Sequence, residues 1–187
     1  MNATCLALSP AGTLMAIGGD DGRVYIWNLN AKKLLGTLEG HGGAITSVTF
    51  TPDAAFVVSG SHDGSCRIWD PYRGKMLWML EHGAPGPVRC VTVSADGQRL
   101  AFGAGSSILI WSTKTWVKLA VHRGTAAFLS LAFAPDGTCL ASGSVDNTLR
   151  IWYGYGEPIP QEDEPPPNKD DPTQQLNQQL CISTQQL

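Results

Sequence analysis

The chain has 187 residues, of which 43% are hydrophobic and 16% charged, a composition that fits one ordinary soluble domain. The net charge of −3 is unevenly divided: residues 1–156 hold 12 Lys/Arg and 10 Asp/Glu, whereas residues 157–187 hold one Lys and six acids. A nearly neutral body gives no reason to expect a nucleic-acid or membrane partner.

The cysteine pattern and the N-terminus indicate the cellular setting. The five cysteines form no Cys-x-x-Cys pair and no zinc-finger spacing with His, so we expect reduced, half-buried strand cysteines in a cytoplasmic or nuclear protein. The first residues open directly into an alternating strand pattern, without a basic segment followed by an apolar one. Neither a signal peptide nor a membrane span is therefore predicted.

Four tryptophans recur at a nearly constant spacing. Trp27, Trp69, Trp111 and Trp152 are separated by 42, 42 and 41 residues. They end the similar phrases GGDDGRVYIWN, SGSHDGSCRIWD, FGAGSSILIWS and SGSVDNTLRIWY. A fixed period of this length indicates a chain of repeated supersecondary units.

Within each copy the apolar residues alternate with a period of two, which predicts strands. The first copy has its fourth strand at 33–38. The second predicts strands at 45–50, 56–61, 66–69 and 76–80, with Asp63-Gly64 as a tight hairpin turn. The third has its fourth strand at 116–121. No helix is predicted in residues 1–156.

A four-stranded unit of about 42 residues has two apolar faces, and stacking such units radially buries both. With Gly40-His41 at one end of the second copy and Trp69-Asp70 at the other, residues 3–156 resemble the WD40-repeat β-propeller family. The resemblance implies an all-β fold, a partial β-propeller of about four four-stranded antiparallel blades. The expected blades are about 1–38, 39–80, 81–121 and 122–156, and residues 157–187 are expected to form a disordered acidic, Pro- and Gln-rich tail.

The resemblance also implies a buried hydrogen-bond chain of Trp, Ser, His and Asp in each blade, which we call the clamp. Residues carried over to the clamp positions are His41, Ser59, Asp63 and Trp69 in the second copy, His122, Ser142, Asp146 and Trp152 in the fourth, Asp21 and Trp27 in the first, and His82 and Trp111 in the third. The first copy has Gly18-Gly19 at the Ser position and the third has Gly105 at the Asp position. Only the second and fourth clamps are therefore expected to be complete.

The adjacent His62 and Asp63 also suggest a catalytic pair. A hydrolytic site would need a nucleophile or a metal held by supporting groups, and no such constellation stands out. The resemblance instead pairs Asp63 with His41. We predict no enzyme activity, no catalytic residue, no metal site and no cofactor.

In the family, partners bind the narrower top face of the propeller. The residues carried over to that face are Asp20, Thr46, His62, Arg89, Leu129 and Val145, with Asn2, Thr4, Ala44, Pro87 and Ala127 at neighbouring positions. Arg89 and His62 suit an acidic or phosphorylated peptide, and Leu129 offers an apolar rim. The alternative for each residue is a solvated loop position of no special role.

Four blades of the usual taper leave an open arc with exposed apolar ends. Three outcomes are possible. The chain is a fragment or splice product of a longer propeller, or it pairs with a second copy or with another propeller protein, or it closes as a strained four-blade ring, which is the least favoured. The first two are favoured and stay open. The fourth copy lacks an obvious outer strand, which residues 180–187 would supply if they return to the sheet; the alternatives there are disorder or a short helix.

These features favour a non-catalytic protein–protein interaction scaffold, a subunit or fragment of a multiprotein complex that binds protein or peptide partners. The alternatives are a truncated product with little independent function and a half-propeller completed by dimerisation. An enzyme and a nucleic-acid-binding protein are disfavoured.

Overall fold

The computed structural model describes residues 2–80 and 86–154, which form fifteen strands in four antiparallel sheets and no helix. Blade 1 contains β1 (Ala3–Leu8), β2 (Leu14–Gly19), β3 (Val24–Asn28) and β4 (Lys33–Leu38). Blade 2 contains β5 (Ile45–Phe50), β6 (Val57–Ser61), β7 (Cys66–Asp70) and β8 (Lys75–Leu80). Blade 3 contains β9 (Val88–Val93), β10 (Arg99–Ala104), β11 (Ser107–Ser112) and β12 (Lys118–Arg123). Blade 4 contains β13 (Phe128–Phe133), β14 (Cys139–Ser144) and β15 (Leu149–Tyr153).

The strands follow each other in sheet order within every blade, so each blade is a simple meander. In blade 4 no fourth strand pairs with β15 among the described residues. The predicted tail at 157–187 and the candidate outer strand at 180–187 both lie outside the described residues. The predicted all-β fold of stacked four-stranded blades is confirmed, with three strands described in the last blade.

One strand prediction was wrong by two residues. The outer strand of blade 3 runs over Lys118–Arg123, not 116–121, because Trp116 belongs to the preceding turn. Its N–H donates to the Ser112 carbonyl at 2.9 Å, and its φ is 54°. The equivalent turn positions in blades 1 and 2 are Lys32 and Gly74, with φ of 50° and 66°. A bulky aromatic residue in this left-handed conformation is unusual, which is why the sequence pattern did not reveal the turn.

Three apolar cores hold neighbouring blades together. The first joins Val24 and Ile26 of blade 1 to Phe50 and Trp69 of blade 2. The second joins blades 2 and 3, and the third joins blades 3 and 4. No core of described residues joins blade 4 back to blade 1, so the described part of the chain is an open arc, a partial propeller.

A second contact joins blades 2 and 3 at their outer edges. The indole rings of Trp78 and Trp116 stack with centroids 4.8 Å apart, and Phe56 meets both rings edge-on. Such aromatic pairs contribute beyond the area that they bury. Trp78 and Trp116 therefore act as lateral packing between blades.

Every innermost strand carries a β-bulge at its second residue. The register of each inner strand against its neighbour skips one residue. The skipped residues are Thr4, Thr46, Arg89 and Leu129. A bulge leaves its extra residue out of the ladder and turns the side chain in a new direction. The four bulges thus place one unpaired residue per blade on the same side of the propeller.

The sequence analysis also predicted reduced cysteines and no membrane span. Cys5, Cys66, Cys90 and Cys139 are all free thiols in the structure, and Cys181 lies outside the described residues. Within residues 2–80 and 86–154 there is no helix of the length and apolarity needed to cross a membrane.

Candidate functional site

A cavity of about 280 Å³ opens where the inner strands of all four blades meet. Its lining residues are Thr4, Ala44, Ile45, Thr46, His62, Arg89 and Leu129. The four bulge residues are all among them, one from each blade. The bulges therefore build this cavity, because they turn side chains out of the four ladders toward a common space.

Four of the six predicted top-face residues meet in this cavity: Thr46, His62, Arg89 and Leu129. Thr4 and Ala44, which the family resemblance also implies at this face, line it as well. Ile45 was not predicted as a wall residue. The alternation of β5 predicts Ile45 as a core residue, and it is buried. That pattern does not indicate that Ile45 also lines the cavity.

Two of the predicted residues lie elsewhere. Asp20 accepts hydrogen bonds from the backbone N–H of Asn2 at 2.8 Å and from its side-chain amide at 2.7 Å, which ties the start of β1 to the β2–β3 turn. The hydrogen bond from the Asn2 backbone N–H, and to a smaller extent the one from its side chain, lowers the pKa of Asp20. Val145 is exposed in the β14–β15 turn and is not part of the cavity lining.

The two threonines of the cavity are used for structure. Thr4 Oγ1 donates to the Ile45 carbonyl at 2.5 Å, and Thr46 Oγ1 donates to the Val88 carbonyl. Each hydroxyl therefore links its inner strand to the next blade. The bulge positions of blades 3 and 4 carry Arg89 and Leu129, whose longer side chains remain exposed.

The remaining polar groups of the cavity favour a negatively charged ligand. Among the described residues no carboxylate lies within ion-pair distance of Arg89, and none lines the cavity. A guanidinium without a partner of its own can form bidentate hydrogen bonds with a carboxylate or phosphate. His62 is exposed beside it, with its backbone N–H bonded to the Ala44 carbonyl at 2.9 Å.

The residues predicted for the blade 2 clamp form one chain of hydrogen bonds. Trp69 Nε1 donates to Ser59 Oγ at 2.8 Å, and Ser59 Oγ lies 2.7 Å from His41 Nε2. His41 Nδ1 lies 2.9 Å from Asp63 Oδ2. Because the indole can only donate, the Ser59 hydroxyl gives its proton to Nε2, and Nδ1 donates to the carboxylate. The arrangement requires a neutral imidazole, and it separates Asp63 from its sequence neighbour His62.

The pKa values of this chain agree with that protonation state. Burial lowers the pKa of His41 below its usual range, although the hydrogen bond to Asp63 opposes the shift. Burial alone would raise the pKa of Asp63, but hydrogen bonds from Ser65, His41 and the Gly42 N–H outweigh it and hold the pKa well below the ordinary value. The pair is therefore a neutral imidazole beside a carboxylate.

The prediction for blade 4 needs a correction at His122. Trp152 Nε1 donates to Ser142 Oγ at 2.8 Å, but Asp146 Oδ2 accepts from Thr125 Oγ1 at 2.7 Å and not from a histidine. His122 stacks on Trp152 with ring centroids 4.7 Å apart, and its buried Nε2 has no hydrogen-bond partner.

The register of β12 explains why His122 is not part of the clamp. Because β12 extends to Arg123, His122 pairs with Ile108 inside the strand, at the position that Leu38 and Leu80 hold in blades 1 and 2. Counted three residues onward from that position, Thr125 is the equivalent of His41. From His122 to the first residue of β13 the chain is one residue shorter than from Leu38 to the first residue of β5.

Blades 1 and 3 have no closed clamp among the described residues. Asp21 accepts from the Tyr25 hydroxyl at 2.6 Å, while Trp27 is partly exposed on the open side of blade 1. Trp111 is inserted between blades, but its buried Nε1 has no hydrogen-bond partner. His82, the expected third-blade histidine, lies outside the described residues.

The sheet register explains both gaps. In blade 2 the clamp residue Ser59 pairs with Arg67 of β7. By the same register, the position of Ser59 is occupied by Ile17 in blade 1 and by Phe102 in blade 3. Neither side chain can accept a hydrogen bond from an indole. The repeat pattern predicted Gly18-Gly19 at the serine position of blade 1, whereas the sheet register places Ile17 there.

Within residues 2–80 and 86–154 no group of three or more His, Cys, Asp or Glu side chains is placed to hold a metal ion.

Comparison with known proteins shows the same four units. The family model described as WD domain, G-beta repeat matches residues 2–28, 32–70, 74–112 and 116–153. The chain is 32% identical over 166 residues to the small ribosomal subunit protein RACK1y of Oryza sativa subsp. japonica, covering 82% of this chain and 48% of the relative. It is 32% identical over 161 residues to the small ribosomal subunit protein RACK1 of Drosophila melanogaster, covering 80% and 50%.

Another relative is much longer. Over 156 residues the chain is 33% identical to periodic tryptophan protein 2 of Arabidopsis thaliana, which covers 81% of this chain and 17% of that protein. The chain thus spans about half the length of its RACK1 relatives and a smaller part of periodic tryptophan protein 2. Since the family model matches four successive units over most of its length, the chain belongs to the WD40-repeat family.

Proposed function

We propose that this protein is a non-catalytic interaction scaffold that binds an acidic peptide segment of a partner protein in the top-face cavity. The observation that carries the proposal is the convergence of one bulge residue from each blade on a single space, with Arg89 as its cation. Rigid stacked sheets that present variable residues at one end suit recognition better than chemistry.

The cavity offers two kinds of contact. Arg89 and His62 provide donors for a carboxylate or phosphate, and Ala44, Ile45 and Leu129 provide an apolar wall. A cavity of about 280 Å³ accommodates one or two side chains of a peptide rather than a large ligand. We therefore infer that an acidic residue next to an apolar one forms the anchor of the bound segment.

The relatives support a role within a larger assembly. The rice and fly relatives bear the name of small ribosomal subunit proteins, so each is named as part of a multi-component particle. By analogy we propose that this chain is a subunit of a multiprotein complex in the cytoplasm or nucleus. Its four described cysteines, all free thiols, are compatible with that location.

Selection from a random peptide library displayed on phage tests the proposal. We expect enriched peptides to carry an Asp or Glu beside an apolar residue. Binding of a synthetic copy should weaken about tenfold or more with Arg89→Ala, since loss of a charge-assisted hydrogen bond costs about 1.5–3 kcal/mol. Affinity is measured by fluorescence anisotropy of the labelled peptide.

Arg73→Ala is the matched control. Arg73 is also exposed, but it lies in the β7–β8 turn beside Asp70, on the outer edge of blade 2. Its substitution should leave the affinity unchanged. Equal losses for both variants would reduce the effect to general charge attraction, and peptides that bind Arg89→Ala as tightly as the parent would disprove the proposed site.

A further inference from the structure

The two end faces of the arc are built like the faces that the inner blades bury. In each internal interface the tryptophan-bearing face of one blade packs against the opposite face of the blade before it. We call the former the leading face and the latter the trailing face. Among residues 2–80 and 86–154, none covers the leading face of blade 1 or the trailing face of blade 4.

The leading face of blade 1 repeats the apolar pattern of the buried leading faces. By sheet register Leu6 and Leu8 correspond to Val48 and Phe50 of blade 2. Leu6 and Leu8 are 67% and 57% exposed, whereas Val48 and Phe50 are 7% and 6% exposed. Trp27 is likewise 37% exposed at the place where Trp69 is 1% exposed. The face therefore has the composition of an interface without its cover.

The trailing face of blade 4 shows the same relationship. Leu149 corresponds by register to Val24, Cys66 and Ile108, which are all 0% exposed in the other three blades. Leu149 itself is 60% exposed. Its neighbours Ile151 and Tyr153 are 40% and 49% exposed. Exposed apolar surface on this scale marks an interaction site in a folded protein.

The two faces are complementary to each other, because trailing and leading faces are the two sides of every internal interface. We propose that two copies of this chain join head to tail into a ring of eight blades, in which the trailing face of blade 4 in each copy packs on the leading face of blade 1 in the other. A two-fold axis repeats the same contact twice, so one pair of surfaces closes the ring. Eight blades lie within the range of closed propellers.

The register identifies the central contact of this interface. At the blade 1–blade 2 boundary Val24 and Ile26 share a core with Trp69. The equivalent contact between copies brings Leu149 and Ile151 of one chain against Trp27 of the other. Leu6 and Leu8 complete the leading side, as Val48 and Phe50 do inside the arc. The interface thus contains the same kinds of side chain as the existing cores.

The proposal is tested on the full chain by sedimentation equilibrium of the wild type and of L6E and L149E. The wild type is expected to be a dimer. Each variant should dissociate at least about a hundredfold more readily, because a glutamate is buried without a partner in both contacts of its dimer. Val117→Glu is the control, since Val117 is 56% exposed beside β12 and belongs to neither end face.

Mixing the two variants separates the head-to-tail arrangement from other dimers. In a mixed pair one contact carries both substitutions and the other carries neither, so a dimer should form again with one intact contact. A dimer of L149E alone would show leading faces paired with each other and would overturn the proposal. A monomeric wild type or an open series of larger oligomers would also overturn it.

Folding of each variant is checked by far-UV circular dichroism and thermal unfolding. Where a glutamate variant fails to fold, Leu6→Ser and Leu149→Ser replace it, with the same expected order of dissociation. A monomer that forms a complex only with a different propeller protein counts against the second copy as the occupant of these faces. Because peptide binding at Arg89 is measured separately, failure of the ring leaves the top-face result intact.

Discussion

Thr125 donates a hydrogen bond to Asp146 at 2.7 Å in blade 4, at the place where His41 donates to Asp63 in blade 2. The hydroxyl satisfies the carboxylate but is too short to reach the serine below the tryptophan. Blade 4 therefore contains two separate hydrogen bonds, Thr125 to Asp146 and Trp152 to Ser142, where blade 2 contains one continuous chain. This difference determines which substitutions are expected to be costly.

Asp63→Ala should destabilise the protein, whereas His62→Ala should have almost no effect on stability. The first removes the acceptor for His41, Ser65 and the Gly42 N–H. Of these donors the His41 ring is buried, and stranding a buried group costs about 1–3 kcal/mol. A loss of that size lowers the melting temperature by about 2–4 °C per kcal/mol. Equal losses in melting temperature for the two variants would contradict the separation of His62 from the clamp.

Ser59→Ala should cost about twice the free energy of Ser142→Ala. Ser59 serves both the Trp69 indole and His41, so its removal strands two buried groups, while Ser142 serves Trp152. At about 1–3 kcal/mol per stranded group the two variants are distinguishable by urea unfolding. Similar losses at both positions would mean that His41 is not held by Ser59.

His122→Leu should stabilise the protein by about 1 kcal/mol, because it replaces a buried nitrogen that has no partner with an apolar side chain. Leu38 and Leu80 occupy the equivalent positions and are buried. The increase in melting temperature is measured against Val121→Leu, a control one residue earlier with its side chain on the opposite face of the strand. A decrease would indicate that stacking on Trp152 outweighs the missing hydrogen bond.

The free energy of unfolding should fall as the pH decreases from 7.5. The pKa of His41 is lowered by burial, so the unfolded chain binds a proton near pH 6.5 while the folded chain does not. Asp63, whose pKa is also lowered, adds a second loss below about pH 4, where the unfolded carboxyl becomes protonated first.

Urea unfolding at pH 7.5, 6, 5 and 4 measures this dependence. The pKa of His122 is lowered by burial too, so it acts in the same direction as His41. The slope between pH 7 and 5 should therefore decrease in His122→Leu and decrease further when His41→Gln is added. An unchanged slope in the double variant would show that neither histidine is kept neutral by the fold.

Trp116→Ala should destabilise the protein, and Trp116→Gly should be more stable than Trp116→Ala by about 1 kcal/mol. Both variants lose the stack on Trp78 and the edge contact with Phe56. At φ 54°, however, only glycine avoids the steric cost of a Cβ. Thermal unfolding gives the order, and the reverse order would mean that the turn changes conformation when the indole is removed.

The sequence pattern was sufficient for the repeat and the four sheets, because strict alternation and the tryptophan spacing predict the strands of each blade. The chain of hydrogen bonds at His41 was predicted through the family resemblance. The pattern was insufficient where a turn uses an unusual residue. Trp116 adopts a left-handed turn, so β12 begins two residues later than the alternation predicts. His122 lies in the same register as Leu38 and Leu80, inside the outer strand and three residues before the clamp position.

The cavity was predictable only through the family. The residues at the four bulges differ in size and polarity, so nothing in the alternation of Thr4, Thr46, Arg89 or Leu129 marks them as neighbours. Ile45 shows the remaining difficulty: a residue can be part of a core and of a cavity wall at once, and periodicity predicts only the core.

The bulges have a consequence for how this surface can change. A bulge residue contributes no rung to its ladder, so Arg89 and Leu129 can be exchanged for other side chains without altering any strand pairing. At Arg89 and Leu129 the proposed binding residues are therefore separate from the residues that pair the strands. A new binding preference can arise by single substitutions at two sites while the scaffold that presents them is inherited intact.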